Sequence, residues 1–519
     1  MKNINPAPVL VFVLSLLLLL VNLGEPEIYI LDEAKNAECA REMYVSGNYI
    51  VPYFNGQLRT DKPPLHYFFM SLAYQIFGVS SFSARFFSAV FGALTVLITY
   101  LFAQRYLGKE TALLAALVLI SSLHFNLQMR LAVPDPYLIF FITAGVFCFY
   151  NFIEQKQKKW LWLMYACFGL GILTKGPVAL GIPGLAILIF LLITKRLNWR
   201  LIREFQVWAG VLIMLLIACP WFILNYKATN GEWTSGFFLK HNLERFTNTM
   251  EGHGGFFLLP LLMVILGLIP LGVFIIRAFI NVIKNREEEP VLICALLVTV
   301  IVIFFSFSKT KLPNYTAPAY PFAAVLIAYL LSKAHHRIKS FKPELIAYTV
   351  IAFAIPLAVY VAFRNNVDYA DFSKLALFFI PLPIGAIAAW IMMRSEKAFI
   401  YPIIASFIIC NLLFFTAVYP KVYLNNPVHD SAKGLINKKL VYYKKLNPAY
   451  VFKIKKVIRG FENPESLKEY IKLNPDALVI SRIEFAQEIE STLEVDTIFK
   501  KRDTFERPVT AVFKLKRHD

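Results

Sequence analysis

Cysteine is scarce in this 519-residue sequence and is never paired at metal or redox spacing. Cys39, Cys148, Cys167, Cys219, Cys294 and Cys410 stand singly, most of them inside apolar runs, and read as small buried residues. That excludes a disulfide framework and a thiolate metal site. Charge is also sparse, at 17% of residues against 58% hydrophobic and 15% aromatic, a balance that excludes a soluble globular protein. The residues after Tyr419 contain no glycine-rich nucleotide loop and no clustered catalytic triad. Few ionisable residues fall in the middle of the apolar runs and no clear repeat relates the two halves, which counts against a transporter or flippase. The apolar run from Pro8 to Leu23 lacks the small-x-small cleavage pattern of a signal peptide and reads as an uncleaved anchor.

What the sequence has instead is a succession of hydrophobic runs. After 8–23 they lie near 84–104, 111–128, 136–153, 160–174, 177–194, 207–225, 256–276, 290–307, 316–332, 344–363, 374–393 and 398–418, which predicts about 13 spans at about 20 residues per crossing. Loops after the even-numbered spans carry about 18 basic residues, among them Arg105, Lys156, Arg200, Arg277, Lys333 and Arg394, against about seven in the short loops of the other face. The first set is therefore cytoplasmic. The formal net charge of +19 then follows largely from topology and implies no nucleic-acid partner. The outer face carries loops 24–84, 129–136, 226–255 and 308–315.

These outer loops concentrate both acids and cations. Asp32 and Glu33 follow directly on the apolar Ile28-Tyr29-Ile30-Leu31, close to the bilayer surface, where carboxylates are costly unless they bind something. Lys62, preceded by Asp61, is followed by Pro63 and Pro64, which fix the backbone and restrict where its ammonium points. Asp135 stands between two prolines at a span edge. Lys62, Arg245, Lys309 and Lys311 place positive charge on the face where the topology bias disfavours it. One reading is interfacial snorkelling, each side chain merely reaching water. The other is that together they hold a lipid phosphate at the membrane surface.

Asp32-Glu33-Ala34, Ala40-Arg41-Glu42-Met43, Asp61-Lys62-Pro63-Pro64-Leu65 and Lys311-Leu312-Pro313-Asn314-Tyr315 together resemble the motif set of bacterial polyprenyl-phosphate-dependent glycosyltransferases. More narrowly, the chain is similar to the protein mannosyltransferase and lipid A aminoarabinose transferase family. The resemblance covers essentially the whole chain. It implies the GT-C fold, here an all-α polytopic domain of about 13 transmembrane helices over residues 1–419 with a small extracytoplasmic α/β domain over 420–519. It assigns Asp32 to the first-loop aspartate, Asp135 to the second outer acid and Lys62 to the donor phosphate. It also matches Tyr315 to the tyrosine of the Lys-Leu-Pro-x-Tyr motif, and Arg245 and His253 to positions of the long loop. Lys35-Asn36 stands where the aminoarabinose enzymes usually show Arg-Tyr, and His253-Gly254-Gly255-Phe256 lacks the usual proline and tryptophan, so the sugar and acceptor stay open.

The chemistry implied is transfer of a sugar from a polyprenyl-phosphate donor to a glycolipid or protein acceptor, outside the cytoplasmic membrane. As the anomeric C–O bond breaks, charge builds on phosphate, which Lys62, Arg245 and Lys309 or Lys311 would stabilise in a partly dry site. A carboxylate near the acceptor would act as general base, worth about 10²–10⁴-fold. Asp32 is the first choice for that base, ahead of Asp135, with Glu33 beside it. No cofactor is singled out. A divalent metal at Asp32, Asp61, Glu251 and His253 is compatible with the residue types, although no tight spacing singles it out. Beyond Tyr419, residues 440–443, 477–480 and 509–513 read as strands, and 464–473 and 482–489 as helices.

Overall fold

The computed structural model describes residues 6–244, 254–284, 288–333, 338–393, 396–504 and 508–516. In chain order the first elements are α1 (Ala7–Leu20), α2 (Leu31–Ser46), the hairpin strands β1 (Tyr53–Phe54) and β2 (Gln57–Leu58), α3 (Leu65–Phe77), α4 (Ser81–Leu107), α5 (Lys109–Ser121), α6 (Leu123–Gln128), α7 (Asp135–Gln155), α8 (Lys158–Lys175) and α9 (Val178–Ile193). Among the described residues eight helices are long and apolar enough to cross a membrane: α4, α7, Trp199–Ala228, Glu289–Phe307, Pro313–Ser332, Lys342–Arg364, Ala370–Met392 and Ile400–Leu424. Helices α1 and α9 are apolar but shorter. This is a predominantly helical, multi-pass membrane protein.

The count falls short of the expected 13 where local chemistry interrupts an apolar run. The 111–128 run divides between α5 and α6, because Ser122 leaves helical geometry and its hydroxyl accepts from the Phe125 N–H as the cap of the second piece. The 256–276 run divides into Leu259–Gly267, a tight turn at Leu271–Phe274 and Ile275–Lys284, with Pro270, which has no N–H to give, at the junction. Helix α8 has 18 residues but carries Lys158, Lys159 and Lys175.

The chain forms two compact units. The first comprises Met1–Leu23, Thr60–His66 and Arg85–Val418, and the second Gly24–Arg59, Tyr67–Ala84 and Tyr419–Asp519. In the first unit α7 and α8 are joined by Lys156 and Gln157 alone, so they run antiparallel, with Lys156 closing the turn at φ 56°. They pack closely at Gly145, where a Cβ would come within 2.5 Å of the Phe168 ring. Gly176, at φ +79°, ends α8, and Pro177 then sets the start of α9.

The second unit contains a five-stranded sheet of order β4-β3-β5-β7-β6, built from β3 (Leu440–Tyr443), β4 (Arg459–Phe461), β5 (Leu478–Arg482), β6 (Val495–Arg502) and β7 (Val509–Leu515). β3 lies parallel to β4 and β5, whereas β7 is antiparallel to β5 and β6. Its core is Val441, Tyr443, Phe461, Val479 and Phe513 under Leu467 and Ile471 of the helix Pro464–Leu473 and Ile489. Side chains and main chain far apart in sequence close this unit. The Asn55 amide pairs both ways with the Ile458 backbone at 2.9 and 2.8 Å, and Tyr29 Oη accepts from the Thr504 N–H at 3.0 Å. Residues 24–59 and 67–84, which read as loop, thus supply α2, most of α3 and a hairpin to the same unit as the C-terminal segment.

Candidate active site

In the first unit the antiparallel arrangement of α7 and α8 brings the start of one to the end of the other. Asp135, framed by Pro134 and Pro136, opens α7, where the free N–H groups favour a carboxylate, and Lys175 closes α8, where the carbonyl end favours a cation. The two meet: Lys175 Nζ lies 2.8 Å from Asp135 Oδ1. Asn314 Nδ2 donates to the same oxygen at 3.2 Å. Asp135 is 3% exposed, so its charge is enclosed and matched. Lys175 also stands 5.5 Å from the centroid of the Tyr315 ring, which packs at 5.0 Å on Phe305. Asn314 and Tyr315 come from the tight turn Pro313–Ala319 that leads into the helix Tyr320–Ser332.

The other predicted residues of this unit are placed individually. Lys311 is buried and its ammonium donates to the Ser308 carbonyl, whereas Lys309 is exposed. Asp61 and Lys62 stand half-buried on the bend before α3. Arg245, Glu251 and His253 lie outside the described residues.

The second unit holds the other acids, on α2. Asp32 and Glu33 occupy its first turn, with the Asp32 side chain 51% exposed and Glu33 fully buried. Asn36, one turn further on, is buried; its Oδ1 accepts from Arg59 Nη2 at 2.9 Å and from Tyr67 Oη at 3.4 Å. The same Arg59 nitrogen lies 3.5 Å from Asp32 Oδ1. Further along, Arg41 grips Glu38 through two bonds of 2.8 and 2.7 Å. Burial nonetheless pushes the Glu38 carboxyl up to about 7, against the pull of Arg41 and with the help of Glu42. Among the described residues no three histidine, cysteine or acidic side chains gather as metal ligands.

Sequence reasoning missed Lys175, Asn314 and Arg59 as site residues. Lys175 was detectable: it lies in the gap between the runs 160–174 and 177–194, on the face where basic residues are disfavoured, and a Gly-Pro pair follows it. Asn314 lay inside the motif around Tyr315 with no charge to single it out. For Arg59 nothing local signals a partner 23 residues earlier.

Comparison with known proteins adds the following. Residues 61–224 match the family model described as dolichyl-phosphate-mannose-protein mannosyltransferase. An uncharacterized protein of Aquifex aeolicus is 30% identical over 374 residues, 72% of this chain and 72% of its own. The undecaprenyl phosphate-alpha-4-amino-4-deoxy-L-arabinose arabinosyl transferase of Pseudomonas paraeruginosa is 28% identical over 425 residues, 79% of this chain and 75% of its own. Among solved structures, ArnT from Cupriavidus metallidurans bound to undecaprenyl phosphate superposes with a TM-score of 0.83 at 22% identity, covering 98% of each chain, a likeness of fold.

Proposed function

Because this chain belongs to the polyprenyl-phosphate-dependent glycosyltransferases of the GT-C fold, we propose that it moves a sugar from a polyprenyl-phosphate donor to a glycolipid or protein acceptor on the outer face of the cytoplasmic membrane. The relative named for undecaprenyl phosphate-linked aminoarabinose supports that donor as the first to test. The basic-residue asymmetry supports an active face and a C-terminal α/β domain outside, with the shorter and interrupted apolar helices completing about 13 crossings.

The observation that carries the reading is the Asp135–Lys175–Asn314 cluster. An ion pair and an amide converge at the ends of apolar helices, where packing alone gives no use for them. In the transfer, the bond between the anomeric carbon and the phosphate oxygen breaks, and the phosphate leaves with the electron pair. Lys62, Arg245, Lys309 and Lys311, with Tyr315, are assigned to the donor phosphate, where preorganised cations lower the cost of that charge. Asp135 is engaged through Oδ1 by two donors, which supports an electrostatic and orienting role over proton abstraction. Asp32, with half of its side chain exposed, is the better placed base for a hydroxyl acceptor; the burial of Glu33 supports a structural place.

Purified protein in detergent, given polyprenyl phosphate carrying a radiolabelled sugar, should release the label onto acceptor and free the polyprenyl phosphate. Absence of any covalent product in detergent, with movement of lipid between leaflets once the protein is reconstituted into vesicles, would overturn the assignment in favour of a flippase.

A further inference from the structure

We infer that Arg59 is a positioning residue for Asp32, an inference that rests on the reading of Asp32 as the base. Asp32 and Asn36 are four residues apart on α2 and so share one face, and a single Arg59 nitrogen reaches both, at 3.5 and 2.9 Å. The two ends of this bridge differ in environment: the Arg59 side chain is 4% exposed and that of Asp32 is 51% exposed. The guanidinium is the enclosed anchor, and the carboxylate is the end offered outward.

The anchor is built rigidly. Asn55 and Gly56, at φ 54° and 73°, form the two-residue turn of the β1–β2 hairpin, which needs left-handed geometry at both positions. Beyond β2, the Arg59 N–H donates to the Pro52 carbonyl at 2.9 Å, so the pairing continues to the arginine itself. The hairpin is tied to α2 as well, because the Glu42 carboxylate accepts from the Asn55 N–H at 2.6 Å and the Gly56 N–H at 3.3 Å. The backbone of Arg59 is thereby fixed against the helix that carries Asp32. Its planar head is fixed in turn by Asn36, whose oxygen also receives Tyr67. A base on the exposed first turn of a helix would sample several rotamers. One oxygen held by a nitrogen of a buried, planar guanidinium confines it. Packing alone would be served by an apolar side chain, without the desolvation of a guanidinium.

The test is a cycle of Arg59→Ala, Arg59→Lys, Asp32→Asn and the double variant Asp32→Asn/Arg59→Ala. The readout is release of undecaprenyl phosphate from undecaprenyl phosphate-linked 4-amino-4-deoxy-L-arabinose, with lipid A freed of its phosphates as an acceptor that offers hydroxyls alone, and melting in detergent is followed alongside. Arg59→Ala should lower kcat by about 10- to 100-fold, the scale on which misplacement of a reacting group is felt, with donor KM changed less than about threefold. Arg59→Lys should recover part of kcat, and the double variant should be no slower than Asp32→Asn alone. Should Arg59→Ala fail to fold, Asn36→Ala leaves both charged groups in place and should lower kcat in the same direction, again without effect in an Asp32→Asn background. Losses that add in the double variants, or full kcat in Arg59→Ala beside a slow Asp32→Asn, would overturn the positioning role while leaving Asp32 as base. Full turnover in Asp32→Asn, or no release of undecaprenyl phosphate by the wild type, would instead remove the reading on which the inference stands.

Discussion

Lys175→Met separates structure from chemistry at the enclosed ion pair. At 2.8 Å and an effective dielectric of about 20, the attraction between Lys175 and Asp135 is about 6 kcal/mol, a gain offset by several kcal/mol for desolvating each ion. The pair is therefore near neutral for stability as a whole, but removing one member leaves the other charge buried. With side chains 19% and 4% exposed, Lys175→Met should destabilise by about 3–5 kcal/mol, lessened by about 1.5–3 kcal/mol through the retained Asn314 bond to the carboxylate. Asp135→Asn should cost a similar amount by stranding the ammonium. The double variant Lys175→Met/Asp135→Asn removes both charges and should return stability to within about 1 kcal/mol of wild type. Its turnover should stay low, because the electrostatic contribution to transfer is absent. Denaturant unfolding in detergent gives the stabilities, and release of labelled polyprenyl phosphate gives the rates. Recovery of turnover together with stability in the double variant would refute the catalytic role and leave a structural pair.

Lys62→Ala should lower kcat more than it lowers the melting temperature, and Lys62→Arg should restore only part, since a planar head replaces a point charge; wild-type turnover in the alanine variant would return Lys62 to interfacial snorkelling. Glu38, with its folded value raised from 4.5 to about 7, binds an extra proton in the native state between those values, so stability should fall as pH rises through that window and level off above it. Glu38→Gln should flatten that slope, measured by unfolding at stepped pH; an unchanged slope would assign it to other groups. For topology, in a protein cleared of its native cysteines, a cysteine at the exposed Leu473 should react with an impermeant reagent from outside, and one at the exposed Gln157 should not; the reverse pattern would invert the orientation.

The parts legible in the sequence were those written in local pattern. Uninterrupted apolar runs marked α4, α7 and the helix Glu289–Phe307, because twenty apolar residues in a row have one solution in a bilayer. The proline-framed Asp135 and the motif around Tyr315 were visible, yet the lysine that joins them was not, because their meeting depends on the antiparallel return of α8. Strands β3, β5 and β7 lie where β-branched and aromatic residues cluster. β4 and β6 escaped notice because they are the sheet edges, where Arg459, Lys500, Lys501 and Arg502 replace the apolar signal and guard against unwanted pairing. The second unit was the least legible part, since the pairing of Asn55 with Ile458 spans 403 residues.

That pairing also sets a timetable. A ribosome adding about 5–20 residues per second needs roughly 20–80 s to travel from the hairpin to its acceptor backbone, and during that interval α2 and the hairpin lack the surface that completes their unit. The unit that contains α2 is thus completed only after nearly every membrane helix has been synthesised. Completion of that unit is coupled to completion of the chain, so a nascent or interrupted polypeptide would lack the backbone with which Asn55 pairs.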